Sequence, residues 1–422
     1  MRPIVPAARG LASAVVAAAM AGLLMAPPAQ ADFRQWGVVS PDPVGWTPQV
    51  LNGTVTGAAI VGSVVVVGGT FNQIQDSRSG RGYRQPYLFA FDRRSGVITN
   101  FGPNLDGPVN SVAAGPDGTV FVAGDFSNVN GEAAYGVARI SLSTGGLVQG
   151  FHADVDGGDV RTIAASGGWL YLGGTFSSVN GVGRLALARL NAYNGAVDGG
   201  FRIQLAAPGK PRTKVVDLAV SPDGRRLVII GALSRVDGKR RPQIAMINTG
   251  GWRASVAPWR TDAYAPDCAP AFDTYMRAVD FAPNGAYFVV VTTGAWPAPW
   301  KLCDSAARFE ARGGGRPTWV NQTGGDALSA VSVTGAAVYV GGHQRWMDNP
   351  RGDNSPGPGA VERTGIAALD PFNGRALAWN PGRTRGVGVQ ALVSAPEGLY
   401  VGSDTDQLGG EYHARIGMFP LR

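Results

Sequence analysis

Residues 160–176, VRTIAASGGWLYLGGTF, decide how the chain is read, because versions of them recur from one end to the other. VRTIAAS alternates apolar and polar side chains with the period of a half-buried strand, Gly167-Gly168 supplies a turn, and WLYLGG is a second strand ending in a glycine doublet. Aligned copies begin at Val55 (VTGAAIVGSVVVVGGTF), Val109 (VNSVAAGPDGTVFVAGDF) and Val215 (VVDLAVSPDGRRLVIIGAL). More divergent copies begin at Met276, Leu328 and Val389.

Working outward, a third strand follows each pair, as in YLFAFD at 87–92, YGVARIS at 135–141, LALARLN at 185–191, IAMINT at 244–249 and IAALDP at 366–371. A Gly-containing turn then leads to a fourth strand carrying one aromatic residue per unit: Phe101, Phe151, Phe201, Trp259, Trp319 and Trp379. The last unit stops at its third strand, ARIGMFPLR, whereas VGWTPQV at 44–50 sets Trp46 nine residues before Val55, the offset that separates Phe151 from Val160. The N-terminal segment therefore reads as the missing fourth strand. Four antiparallel strands repeated about every 50 residues predict an all-β fold, a seven-bladed β-propeller closed by its N-terminal strand, in one domain over residues 32–422. The glycine doublets are expected to let backbones approach near the axis, and the aromatic column to fill the wider space between outer strands.

The units resemble the delta-sixty type of secreted bacterial propeller repeat: a PDG turn (116–118 and 222–224), a hydrophobic strand, a glycine doublet, then Gly-x-x-Asp-x-x-Phe, met by Gly195, Asp198 and Phe201. The spaced Tyr and Trp pair of kelch repeats is not repeated. The C-terminal half, with PTWVNQTGGD, VYVGGHQRW and GLYVGSDTD, is similar to secreted actinobacterial propellers of unassigned function. That resemblance implies the fold and little chemistry.

Residues 1–31 have the three regions of a secretory signal peptide: Arg2 and Arg9, an apolar run from Leu11 to Ala26, then Ala29-Gln30-Ala31. No later stretch is long and apolar enough for a bilayer-spanning helix, so a secreted or wall-associated monomer without membrane insertion is expected. Lysine occurs only at 210, 214, 239 and 301, and the preference for arginine, with abundant Ala and Gly, points to a high-GC bacterial genome. Without the two signal arginines, the 37 basic residues become 35 against 30 acidic ones, with no basic run, which argues against nucleic acid. The two cysteines of an exported chain, Cys268 and Cys303, are expected to form a disulfide.

Insertions at 71–86, 260–275, 294–304 and 343–363 all fall on the face carrying the connections between second and third strands, which makes it the candidate binding face. Its inner rim holds Asp125, Asp404, Asp326 and Arg385, and the sixth unit adds His343, Arg345 and Trp346, a flat aromatic beside hydrogen-bonding groups. This set suits a sugar ring or peptide side chain. Three histidines in unrelated strand positions form no zinc site, and the Gly-x-Ser-x-Gly elbow, the P-loop and the sialidase Asp box are missing. DTD at 404–406 and DNPRGDN at 348–354 match no calcium-loop spacing, so no cofactor is expected, calcium being the weak alternative; the RGD at 351–353 is equally weak as an adhesion signal. The expected function is non-catalytic binding of an extracellular ligand, glycan or cell-envelope polymer. The alternatives are a carbohydrate-active hydrolase or lyase using rim carboxylates, and a protein-interaction scaffold.

Overall fold

The structure, a computed structural model, describes residues 33–269, 271–294 and 301–422. The expected signal peptide lies outside these, as do residues 295–300 of the fifth unit's insertion. Among the described residues there is no helix, and the chain is all-β. The hairpin read at residue 160 forms as Val160–Ser166 and Trp169–Gly174, with Leu187–Asn191 antiparallel on the far side. The same order recurs from Val55–Val61, Val109–Ala114, Lys214–Val220, Met276–Phe281, Leu328–Val333 and Val389–Ala395. Second strands such as Val64–Gly69 and Thr119–Gly124 are buried almost throughout, because neighbouring sheets cover both of their faces.

Fourth strands are shorter than expected. Ser255–Val256 and Pro317–Gln322 are strands, but elsewhere the fourth position is a single bridge, as in Phe91 with Ile98 and Leu190 with Val197. The aromatic residue is buried in either case, Trp319 lying within the six-residue strand Pro317–Gln322. Phe101, Phe151, Phe201, Trp259, Trp319 and Trp379 are all buried. Phe151 packs on Phe121 at 5.4 Å between centroids, Phe201 on Tyr171 at 5.9 Å, and Trp379 on Tyr339 and Phe419 at 5.4 and 5.1 Å. Each apolar cluster joins one sheet to its successor: Phe121 and Val137 of the second meet Val160 and Leu172 of the third. One further cluster joins the first sheet, through Val55, Val65 and Phe89, to Tyr400, Ile416 and Met418 of the last, with Trp46 packed against it.

The N-terminal segment follows the last strand, Ile416–Pro420, less regularly than the sequence pattern predicts. Ser40 N–H donates to the Pro420 carbonyl (2.8 Å) and Val44 N–H to that of Met418 (2.9 Å), after which Gln49–Val50 leaves to pair with Gln73–Gln75. Pro41, Pro43 and Pro48 have no N–H to donate, so a continuous ladder cannot form.

The glycine doublets have two separate jobs. A Cβ on Gly68 would lie 2.5 Å from Val109 of the next sheet, one on Gly173 2.6 Å from Val215, and one on Gly341 2.6 Å from Val389. The second glycine of each pair, such as Gly69 or Gly174, faces the carbonyl of the residue just before its own sheet's first strand, Thr54 or Asp159. That strand carries a β-bulge in every unit, placing one extra residue after the opening Val, Met or Leu.

Small hairpins, unforeseen in the sequence reading, form the connections between second and third strands. Asn128–Val129 pairs with Glu132–Ala133, Ser178–Val179 with Val182–Gly183, and Arg235–Val236 with Lys239–Arg240. Their two-residue turns, Asn130-Gly131, Asn180-Gly181 and Asp237-Gly238, have positive φ at both positions (53° and 83°, 50° and 70°, 46° and 73°), which Asn, Asp and Gly tolerate best. The incoming chain adds a strand, Val155–Asp156 or Leu205–Ala206, to each of the latter two.

Gly173→Ala should cost about 1–3 kcal/mol in urea unfolding, because Val215 must move in a filled interface. Gly183→Ala, where a Cβ meets nothing within 4 Å, is the matched control and should shift stability by less than about 0.5 kcal/mol. Equal effects would contradict the packing role given to the doublet.

Candidate functional site

On the hairpin face, the sixth and seventh units bring together six of the residues singled out in the sequence. Asp326 is buried, and its carboxylate is shared by two arginines: Arg345 donates from Nε (2.8 Å) and Nη2 (3.1 Å), and Arg385 from Nη2 (3.2 Å). The Arg345 backbone N–H adds a further bond at 3.1 Å. Arg385 Nε donates to the His343 carbonyl at 3.0 Å, and His343 Nδ1 lies 2.6 Å from the Gly386 carbonyl oxygen. The Arg345 guanidinium sits over the Trp346 ring, 4.4 Å from its centroid. Asp404 accepts the N–H groups of Val387 (2.5 Å) and Gly388 (3.0 Å). The cluster thus pins the loop around residues 383–388 to the start of the sixth unit's insertion, and one face of the expected stacking ring is taken by Arg345.

Arg383 escaped the sequence reading. Its guanidinium is buried beneath this loop, donating to the carbonyls of Gly342 (3.1 Å) and Arg385 (3.0 Å) and to Thr405 Oγ1 (2.7 Å), and burial pushes its pKa down to about 10. Asp125 stands apart from the cluster. It accepts from Asn110 Nδ2 at 3.2 Å, at the edge of a different feature.

That feature is a polar cavity of about 520 Å³ at the hairpin-face ends of the first strands. Every bulged residue lines it: Thr56, Asn110, Arg161, Val216, Arg277, Ser329 and Gln390. The bulge is what turns these side chains inward. Two of them also tie successive sheets together, Thr56 Oγ1 donating to the Val109 carbonyl (2.6 Å) and Asn110 Nδ2 to that of Val160 (3.0 Å). The signal in the sequence was the residue after each opening Val, Met or Leu, a position that alternation alone assigns no special role.

The cavity carries Arg161, Arg277, Lys214 and Asp217. Lys214 is paired with Asp273 at 2.9 Å. Burial lowers the pKa of Arg277, whose Nη1 donates to the Met276 carbonyl at 3.0 Å. Asp217 accepts from the Val279 N–H (2.9 Å) and the Thr162 hydroxyl (2.9 Å), yet desolvation outweighs both bonds and its pKa is pushed up to about 6. Asp106, another rim carboxylate, goes the other way. Although burial opposes it, four hydrogen bonds from Ser127 and Asn128 hold its pKa well below the usual range, as befits a loop-building group. Cys268 and Cys303 form the expected disulfide, linking the segment that enters the fifth sheet to the one that precedes its third strand, Ser305–Glu310. Among the described residues no group of three or more His, Cys, Asp or Glu side chains could hold a metal ion.

A domain family described as "Domain of unknown function (DUF5122) beta-propeller" matches residues 115–143 and 166–201, the hairpins and third strands of the second and third units. These two stretches match a β-propeller domain. Their family description assigns no function. Among solved structures, the chain aligns with the computationally designed Ika8 protein at 12% identity and a TM-score of 0.47, covering 92% of this chain and 99% of that one. It aligns with the Kuenenia stuttgartiensis hydrazine synthase at 12% identity and a TM-score of 0.47, covering 84% and 93%. No curated protein matches the chain.

Because the folded chain holds the Asp217 proton more tightly than the unfolded chain does, this group's contribution to stability falls as pH rises between the unfolded value of 3.8 and about 6, and is level above that. Thermal melts of the wild type and Asp217→Asn across that window should show a smaller decline for the variant. A parallel decline would place the titration elsewhere.

Proposed function

We propose that the chain is a secreted seven-bladed propeller, closed by its N-terminal segment, that binds an extracellular glycan or cell-envelope polymer on its hairpin face without catalysing a reaction. The observation that carries the reading is the cavity lined by one bulged residue from each of the seven repeats, since a shared lining is what strands arranged around one axis provide. Two contacts support closure. Gly402 of the last unit meets Val55 of the first as Gly68 meets Val109, and Gly96 abuts Trp46 much as Gly374 abuts Trp319.

Hydroxyl, amide and guanidinium groups converge on the cavity, and the Arg345–Trp346 pair stands on the same face, a combination suited to a polyhydroxylated ligand. Secretion is supported by the disulfide. No helix among the described residues is long and apolar enough to cross a membrane. A glycosidase would need a free carboxylate pair, whereas Asp326 is bound by two arginines and Asp404 by two backbone N–H groups.

Screening against glycans and wall fractions, with turnover assays alongside, tests the proposal. Combined His343→Ala, Arg345→Ala and Trp346→Ala should weaken binding by about 2 kcal/mol or more; the melting temperature should fall, because Asp326 keeps only its side-chain bond from Arg385, while the β-sheet circular dichroism of the folded chain is retained. Asp117→Ala and Asp223→Ala, in turns on the opposite face, should leave binding alone. Undiminished affinity in the triple variant, or its loss on changing Asp117 and Asp223, would overturn the assignment of the face.

A further inference from the structure

The face opposite the hairpins carries the turns between third and fourth strands, and several of these are built to hold one side chain at the tip. Asp92 Oδ1 accepts the N–H groups of Arg94 (3.1 Å) and Ser95 (2.8 Å). Asn191 Oδ1 does the same for Tyr193 (2.9 Å) and Asn194 (3.2 Å), and Asp370 Oδ1 for Phe372 (2.7 Å) and Asn373 (3.2 Å). The residue two places on, Arg94, Tyr193 or Phe372, is thereby presented outward. The fourth unit has a longer tip ending in Trp252-Arg253.

These tips are unusually open for their chemistry. Trp252 is 89% exposed and Phe372 80%. Trp36, 76% exposed, joins them from the N-terminal segment. Its neighbour Gln35 is buried and fixes it there, donating from Nε2 to the carbonyls of Ala395 (3.1 Å) and Gly398 (2.9 Å) and from its N–H to that of Thr334 (3.0 Å). The exposed charges of the same turns are mostly of one sign. Arg34, Arg94, Arg225, Arg253, Arg312 and Arg375 face solvent, against Asp117 and Asp223, while Asp42 is paired with Arg422 at 3.3 Å.

We propose that this turn face docks, at headgroup level, on an anionic lipid surface. Indole rings favour the membrane–water interface, and arginines beside them are drawn to anionic headgroups. Phe372 and Trp36 protrude from the surface, and a lipid interface accepts a protruding ring from one side. Beside Trp252 and Arg225 lies a cleft of about 480 Å³, lined also by Asp223 and by Arg189 paired with Asp198, so that a headgroup phosphate would meet Arg225 only at the Trp252 end. Docking is peripheral, with no element crossing the bilayer. That the tips reach one plane rests on the ring proposed above, in which equivalent turns stand at equal height.

Co-sedimentation of the purified chain with vesicles tests this. Vesicles containing phosphatidylglycerol should bind the protein, those of phosphatidylcholine alone should not, and added salt should release it. Trp252→Ala and Phe372→Ala should each weaken partitioning several-fold, and both with Trp36→Ala by about tenfold or more. Tyr83→Ala and Tyr412→Ala, exposed on the hairpin face, are the controls and should change nothing. Binding indifferent to phosphatidylglycerol, an undiminished triple variant, or retention on polyuronate beads without retention on vesicles would overturn the proposal. Loss at Trp252 with none at Phe372 would overturn the planar array alone, leaving the hairpin-face binding and the closure to their own tests.

Discussion

The fold depends on how closely the second strand of one sheet approaches the first strand of the next. At four junctions a valine opening one strand sits where the preceding sheet has only a glycine: Val109 on Gly68, Val215 on Gly173, Val389 on Gly341 and Val55 on Gly402. Ala123, Ile230 and Val291 hold the same register position in the other three sheets. At the glycine junctions a Cβ would force the sheets apart on the inner side, and an aromatic contact further out such as Phe201 on Tyr171 would lose its fit. At these junctions the spacing is set at both radii: glycine within, aromatic ring without. The bulge belongs to the same arrangement. It directs one side chain per repeat, among them Arg161, Arg277 and Gln390, into a common polar cavity that regular strands would leave to the apolar interface.

Repetition of this contact also explains the two ends of the chain. The last sheet has a Gly402 that needs a valine, and Val55 supplies it. Along the outer edge of its strand Ile416–Pro420 runs the N-terminal segment that includes Trp46, interrupted by prolines that keep it from acting as a template for another chain. Trp379 departs from the repeated pattern. Trp319 donates its indole N–H to the Pro371 carbonyl at 2.9 Å, whereas the indole N–H of Trp379 has no hydrogen-bond partner among the described residues.

Much of the fold was legible because it is repeated. Period-two alternation, turn glycines and the aromatic spacing each recur often enough to be read without knowing any contact. The connecting hairpins were missed although Asn130-Gly131 and Asn180-Gly181 are strong turn signals, because flanking strands of two residues show no alternation to read. Fourth strands were overestimated: the residues are of strand type, but in four units they form only one bridge, as between Ile140 and Leu147. The candidate site was legible as a set of residue types and not as an arrangement. Nothing in the order of Asp326, Arg345 and Arg385 says that two guanidinium groups meet on one carboxylate, and nothing around Arg383 marks it as buried beneath them. The inward side chains of the bulges were hidden by the same alternation that revealed the strands.

Closure is the claim on which the shared cavity and the level of the turn tips both rest, and hydrogen exchange at two amides addresses it directly. Ser40 and Val44 donate to carbonyls of the last strand, Pro420 and Met418. If the N-terminal segment seals the ring, these amides should exchange only as slowly as those of the last sheet itself, opening with it as one cooperative unit. Exchange of Ser40 and Val44 at the rate of a free chain, while the Ile416–Pro420 amides stay protected, would show that the segment merely rests on the surface and that the ring is not closed in this way.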